Sequence, residues 1–143
     1  MLNEQERIDI VRYRINNATA TLREVDDLCR LGYYNNAANR LYYACYYAVS
    51  ALLVANQIST KSHAGVRQML NLHFIKTGIL PTYFGSYYNE LFNSRLTGDY
   101  EDLFNHTEQT IARLRPKAEE LVGAVRGLVK TWLDSNNANN PSL

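Results

Sequence analysis

Proline and glycine are scarce in this chain, three and seven of 143 residues, and long stretches contain neither. No segment alternates apolar and polar residues with period two, and no repeat is found, so the pattern excludes a turn-rich β architecture and points to helices. Cysteine is almost absent. Cys29 and Cys45 both fall on apolar helix faces, which predicts buried free thiols rather than a disulfide or a metal pair. Three scattered histidines and two distant cysteines give no metal-ligand spacing, and no cofactor is expected. A glycine-rich phosphate loop, a G-x-S-x-G elbow and a Cys–His nucleophile pattern are all missing. The charge is nearly balanced, 15 Lys+Arg against 14 Asp+Glu, a net +1. That gives no global basic footprint, but excludes neither nucleic acid nor acidic partners. A charged-then-apolar leader and a run of about 18 apolar residues are also missing, so a soluble cytoplasmic protein with no membrane partner is expected.

What is abundant is tyrosine, eleven residues, a side chain suited to half-buried helix contacts, binding surfaces and base stacking. Four of them crowd into Ala37–Leu53, a stretch without Gly or Pro whose single charge is Arg40. Ala38, Leu41, Cys45, Ala48 and Leu52 repeat at 3-4 spacing as one helix face. Tyr42, Tyr46, Val49 and Leu53 form a second, and Tyr43 and Tyr47 a third. A helix apolar nearly all round is buried on nearly all sides. This one is too short to cross a membrane comfortably, and its hydroxyls and Arg40 need partners, so it reads as a central core helix.

The remaining elements are placed around it. Residues 3–31 read as a first helix carrying Ile8, Val11, Ile15, Ala18, Leu22, Val25 and Leu28 or Cys29, stopped by Gly32. Tyr33-Tyr34 make the turn, and Asn35 or Asn36 caps the central helix, which runs to about Ala55. Ser59, Thr60 or Ser62 caps a third helix over 62–77, ended by Gly78. Pro81 opens a fourth, with Tyr83, Phe84, Tyr87, Tyr88, Leu91, Phe92 and Arg95, and Gly98 near its end. Asn105 with Glu108 reads as a capping box for a fifth helix over about 107–134. Its seam is Ile111, Leu114, Ala118, Leu121, Val125, Leu128 and Trp132, and Pro116 should kink it or mark a later start. The expected fold is all-α, an antiparallel up-and-down bundle of four to five helices around the tyrosine-rich one. Residues 1–134 form a single domain, followed by a polar tail over 135–143 that frays.

Three cationic segments could carry chemistry. Arg95 follows Tyr88, Leu91 and Phe92 on the inward side of the fourth helix. A guanidinium there cannot shed its proton, so it either locks onto Asp99 or, with Asp99 orienting it and Tyr100 alongside, receives a phosphate. Arg40 either lies along the Tyr43 and Tyr47 faces or reaches solvent from the helix end. Lys61-Ser62-His63-Ala64-Gly65 puts a Lys, a hydroxyl and an imidazole at a helix N-terminus, which is either an anion site or an ordinary cap. His73 reads as packing among Leu70, Phe74 and Thr77, and His106 as part of a cap.

Arg40-x-Tyr42-Tyr43-Ala44-x-Tyr46-x-Ala48, Lys61-x-His63-x-Gly65 and Arg95-x-x-x-Asp99-Tyr100, in that order, resemble the HEPN domain family (higher eukaryotes and prokaryotes nucleotide-binding), in particular its small stand-alone prokaryotic members, over about residues 5–130. The resemblance implies a helical bundle that forms a homodimer. It also implies a minimal nucleotidyltransferase partner in a toxin–antitoxin-like couple, and binding of nucleotide or RNA. Several branches of that family are metal-independent ribonucleases, whose signature is an Arg and a His separated by about four to six residues. Here ten residues separate Arg95 from His106, and Asp99-Tyr100-Glu101-Asp102 stand where the His would be. Neither Asp99 nor Tyr100 is a good general base near neutral pH. The resemblance therefore implies a binding module more than an enzyme, with Arg40, Tyr43, Tyr47, Lys61, His63, Arg95, Asp99 and Tyr100 as ligand-binding positions. If there is catalysis, it would rest on Arg95 with His63 or His106. The alternatives are a ribonuclease with an altered site and a purely structural dimer.

Overall fold

The computed structural model describes the backbone of residues 2–100 and 106–136, and the side chains of these except 96–100. The chain is an all-α bundle. Five helices follow in order: α1 Glu4–Arg30, α2 Tyr34–Ala55, α3 His63–Leu70, α4 Thr82–Tyr100 and α5 Glu108–Asn136. Helix α2 lies in the middle and packs against all four others, most extensively against α1 and α5, which also touch each other. The seam expected for α1 is buried from Ile8 through Val25, with Thr21 added. Ala38, Leu41, Tyr42, Cys45, Ala48, Val49, Leu52 and Leu53 of α2 are all buried, so its first apolar face is enclosed, its second is enclosed except at the half-buried Tyr46, and the Tyr43–Tyr47 face is half-buried. Each fully buried leucine contributes roughly 1.5–3 kcal/mol by leaving water. Both cysteines are free thiols, and Cys45 is fully buried against the Ala118 carbonyl.

Helix α5 departs from its expected seam in its second half. Ile111, Leu114, Ala118, Leu121 and Val125 are buried as the 3-4 spacing predicts, but Val129 and Leu133 then replace Leu128 and Trp132, which are half-buried. A straight helix turns once per 3.6 residues, so a strict seven-residue repeat drifts off the contact line. The helix runs through Pro116 without a later start. Ion pairs hold it at two places. Arg115 pairs with Asp26 of α1 (2.8 Å) and Glu119, and Glu90 of α4 takes Lys117 (3.2 Å) and Arg113. Burial alone would raise the Glu90 carboxyl, but hydrogen bonds from Arg113 and Lys117 hold it below its ordinary value.

Three helix ends differ from expectation. Helix α2 begins at Tyr34 with Tyr33 as a cap that makes no side-chain bond, so neither Asn35 nor Asn36 caps it. The Asn35 side chain is used elsewhere, accepting the His106 backbone N–H at 2.8 Å. Helix α5 begins at Glu108, so Glu108 lies in the first rather than the third helical position; Thr107 caps the helix, its Oγ1 accepting from the Thr110 N–H while its own N–H donates to the Thr110 Oγ1. Asn105 lies outside the described residues, as do residues 137–143 of the expected tail. In the third helix Ser62 is the cap, accepting from the Gly65 N–H at 2.9 Å. The α-helix then widens into a π-helical turn over Asn71–Ile75, with Lys76 N–H donating five residues back to the Asn71 carbonyl. Val66, Leu70 and Phe74 are buried while His73 is exposed, so His73 is not the packing residue it was expected to be. Gly85 of α4 lies against this turn, where a Cβ would stand 2.8 Å from the Asn71 Oδ1.

Two other ends share one motif. After α1, Tyr33 N–H donates to the Leu28 carbonyl and Gly32 N–H to Cys29, with Gly32 at φ +80°. After α2, Ile58 N–H donates to Leu53 and Gln57 N–H to Val54, with Gln57 in the glycine position at φ +58°. These are Schellman closures. The left-handed conformation costs an L-residue about 1–2 kcal/mol. Replacing Gln57 by Gly is therefore expected to raise the unfolding free energy by about 1 kcal/mol in urea titration, and an unchanged or lower midpoint would contradict the strain.

Candidate functional site

Helix α2 carries tyrosines at two consecutive pairs of positions one turn apart, so their rings form a continuous surface on one side of the bundle. Tyr42 is fully buried, while Tyr43, Tyr46 and Tyr47 are half-buried. Neighbouring ring centroids lie 5.2–6.0 Å apart. Helix α3 brings its first residue, His63, onto this surface. The imidazole stacks on Tyr46 with centroids 4.4 Å apart and stands 5.6 Å from Tyr43 and 5.7 Å from Tyr42. Its Nδ1 is hydrogen-bonded to the Tyr42 hydroxyl at 2.7 Å. Helix α4 closes the group from the other side. Phe92 packs edge-on to Tyr42, and the Arg95 guanidinium carbon lies 4.9 Å from the Tyr42 ring, 5.9 Å from Tyr43 and 5.7 Å from Phe92.

Arg40 completes the cluster one turn before Tyr43 on α2. Its guanidinium carbon is 4.9 Å from the Tyr43 ring, and its Nε and Nη2 both donate to the neighbouring Asn39 Oδ1. The described residues give Arg40 no carboxylate within ion-pair distance. Tyr43 therefore has two guanidinium groups and an imidazole around one ring. Such an arrangement favours an anion, which gains charge-assisted hydrogen bonds, and a flat ring, which gains stacking.

Five of the expected positions are thus brought together: Arg40, Tyr43, Tyr47, His63 and Arg95. Lys61 is exposed in the α2–α3 loop, and among the described residues no ring lies within cation–π reach of it. The α4 backbone stays helical past Gly98 to Tyr100, but the side chains of Asp99 and Tyr100 lie outside the described residues. His106 is committed elsewhere. Its Nε2 donates to the Ser94 carbonyl at 2.9 Å and its backbone N–H to Asn35, so it ties the start of α5 to α4 and α2. Tyr42, Tyr46 and Phe92 were not singled out as site positions. Their signal in the sequence, apolar helical spacing, is the same for a packing ring and for the floor of a site. Among the described residues no group of three or more His, Cys, Asp and Glu is placed to hold a metal ion, and no helix is long and apolar enough to cross a membrane.

The sequence model of the HEPN domain matches residues 11–128, which include every helix of the cluster. The chain belongs to the HEPN domain family. Among related proteins, a UPF0332 protein of Thermotoga maritima is 36% identical over 129 residues, 90% of this chain and 96% of that protein. A Methanocaldococcus jannaschii protein named "Putative toxin MJ0142" is 38% identical over 87 residues, and the chain spans 59% of its length. A second from that organism, "Putative toxin MJ0605", is 30% identical over 100 residues, 74% of its length.

Electrostatics sets the protonation of this cluster. Burial pushes the Tyr42 phenol up to about 12, so it stays protonated, and its hydrogen bond with His63 Nδ1 leaves the imidazole Nε2 for other contacts. Burial, and then the Arg95 charge, lowers His63 from its ordinary 6.5. The unfolded chain therefore takes up this proton first on acidification. The contribution is full above about pH 6.5 and is lost as pH falls through the interval between 6.5 and the lower folded value. Thermal unfolding between pH 7.5 and 5.5 is expected to show a smaller loss of Tm for His63→Gln than for wild type, and equal losses would contradict a neutral His63.

Proposed function

We propose that this protein is a HEPN-type binding module that holds an RNA or nucleotide phosphate at the Arg40–Tyr43–His63–Arg95 cluster. In this reading it acts in the cytoplasm as the toxin-like half of a toxin–antitoxin-like pair. Tyr43, flanked by Arg40, Arg95 and His63, carries the reading. A phosphate would be held by the guanidinium groups and a base would stack on the half-exposed rings of Tyr43 and Tyr47. Asp99, Tyr100 and Lys61 would border the same ligand. The names of the two Methanocaldococcus jannaschii relatives support the toxin-like role. A homodimer and a minimal nucleotidyltransferase partner belong to the same proposal, and no cofactor is required for binding.

A second reading has one specific observation in its favour. His63 is held neutral beside Arg95, with Nδ1 anchored on Tyr42 and Nε2 left over. In the tautomer whose Nδ1–H donates to the Tyr42 oxygen, Nε2 keeps its lone pair and can serve as general base for an RNA 2′-hydroxyl, with Arg95 stabilising the phosphate. His106, whose Nε2 is bonded to Ser94, is the weaker candidate for that role.

Fluorescence anisotropy with a labelled single-stranded RNA tests both readings. Arg40→Gln and Arg95→Gln, each confirmed as folded by circular dichroism, are expected to weaken binding about tenfold. Tyr43→Ala should weaken it by a comparable or larger factor, since a stacked base is worth about 1–3 kcal/mol. Affinity unchanged in all three variants would overturn the site. RNA cut by wild type but not by His63→Ala would establish the second reading, and RNA bound but left intact would remove it.

A further inference from the structure

A cleft of mixed polar and apolar lining lies outside the tyrosine cluster. It opens between the N-terminal half of α1 and the loop that leaves α2, and its volume is about 420 Å³, within the range of small-molecule sites. Arg7 and Arg14 line it, two positions seven residues apart on one face of α1. Arg14 is half-buried, and its Nη1 donates to Ser50 Oγ at 2.8 Å. Ser50 is only 7% exposed, one of the few buried polar side chains among the described residues. A guanidinium has five N–H groups and stays charged at all working pH values. Among the described residues neither Arg7 nor Arg14 has a carboxylate within ion-pair distance, whereas Arg30, Arg113 and Arg115 each do. Two cations thus line one cleft, and Arg14 is anchored there on a neutral, buried hydroxyl.

The opposite wall supplies complementary groups. Thr60 brings a hydroxyl, and Leu53 and Ile58 bring apolar surface. Gln57 also lines the cleft, and it is the residue held at φ +58°. Glycine would sit there without strain, so the position keeps a carboxamide at an energetic cost, on the edge of a cavity.

We propose that this cleft is a separate binding site for a small phosphate monoester bearing a compact apolar group. The guanidinium groups of Arg7 and Arg14 take the phosphate, and the Leu53–Ile58 wall takes the apolar part. A phosphate with three acceptor oxygens matches this many donors better than a carboxylate with two. The site goes beyond the RNA-binding reading. It is lined by the C-terminal part of α2 and the loop after it, whereas the tyrosine cluster uses Arg40–Tyr47 of the same helix, and none of its lining residues belongs to that cluster.

Phenyl phosphate, inorganic phosphate and phenol, titrated into the full chain and followed by amide NMR, test it. Phenyl phosphate is expected to give saturable shifts at Ser50, Gln57 and Thr60, to bind more tightly than inorganic phosphate, and to exceed phenol by about tenfold or more. Arg7→Gln and Arg14→Gln should each weaken it about tenfold. If Arg14→Gln does not fold, Arg7→Gln, which removes no hydrogen bond to a buried side chain, decides alone. Undiminished binding in the folded Arg variants, shifts centred on Tyr43 and His63 instead, or no saturable shift would each overturn the cleft as a phosphate site.

Discussion

A helix enclosed on nearly every side cannot leave a polar group without a partner, and Tyr42 carries a hydroxyl into that enclosure. An unbonded buried hydroxyl costs about 1–3 kcal/mol. Tyr42 meets the requirement with a 2.7 Å bond to His63 Nδ1, and the consequences spread outward. The bond fixes the first residue of α3 against α2. Ser62 caps the same helix, and its Val66 and Leu70 then reach the core. On the other side of the Tyr42 ring, α4 contributes Phe92 and Arg95. The constraint that seats α3 and α4 on α2 is therefore the one that gathers the cluster.

The energies separate what holds the bundle from what the cluster is free to do. A cation–π contact such as Arg40 over Tyr43 is worth about 0.5–1 kcal/mol where solvent reaches it. Removing one buried leucine such as Leu41 or Leu114 costs about 2–5 kcal/mol. The apolar seams of α1, α2 and α5 dominate folding, and the rings and guanidinium groups at the open side add little to it. Arg40, which pairs with no carboxylate among the described residues, is poorly explained by stability alone.

Much of the architecture was legible because it rests on one signal. The 3-4 spacing of Ile8–Val25, Ala38–Leu52 and Ile111–Val125 is set by the helical repeat, and these residues are buried where the spacing put them. The helix ends were less legible. Asn35 looks like a cap, but its side chain has a better partner in the His106 N–H, a contact with a residue 71 positions away that no local pattern contains. The π-helical turn at Asn71–Ile75 has no local signature in the sequence; Gly85 of α4 lies against it, a contact no local pattern contains. For the site, the residue types were visible and their convergence was not. Arg40 and Tyr43 are one turn apart and could be paired from the sequence, but the meeting of His63 and Arg95 on Tyr42 depends on how α3 and α4 cross α2.

The central claim is that the Tyr42–His63–Arg95 convergence forms a ligand site and not merely a seam between helices. It is tested most directly by titrating a short single-stranded RNA into isotope-labelled protein and following the tyrosine ring, His63 and arginine side-chain resonances. Saturable shifts confined to Tyr43, Tyr47, His63, Arg40 and Arg95, weakening as salt is raised, are the predicted result. Shifts absent from these side chains at saturating RNA, or spread evenly over the basic surface, would contradict it.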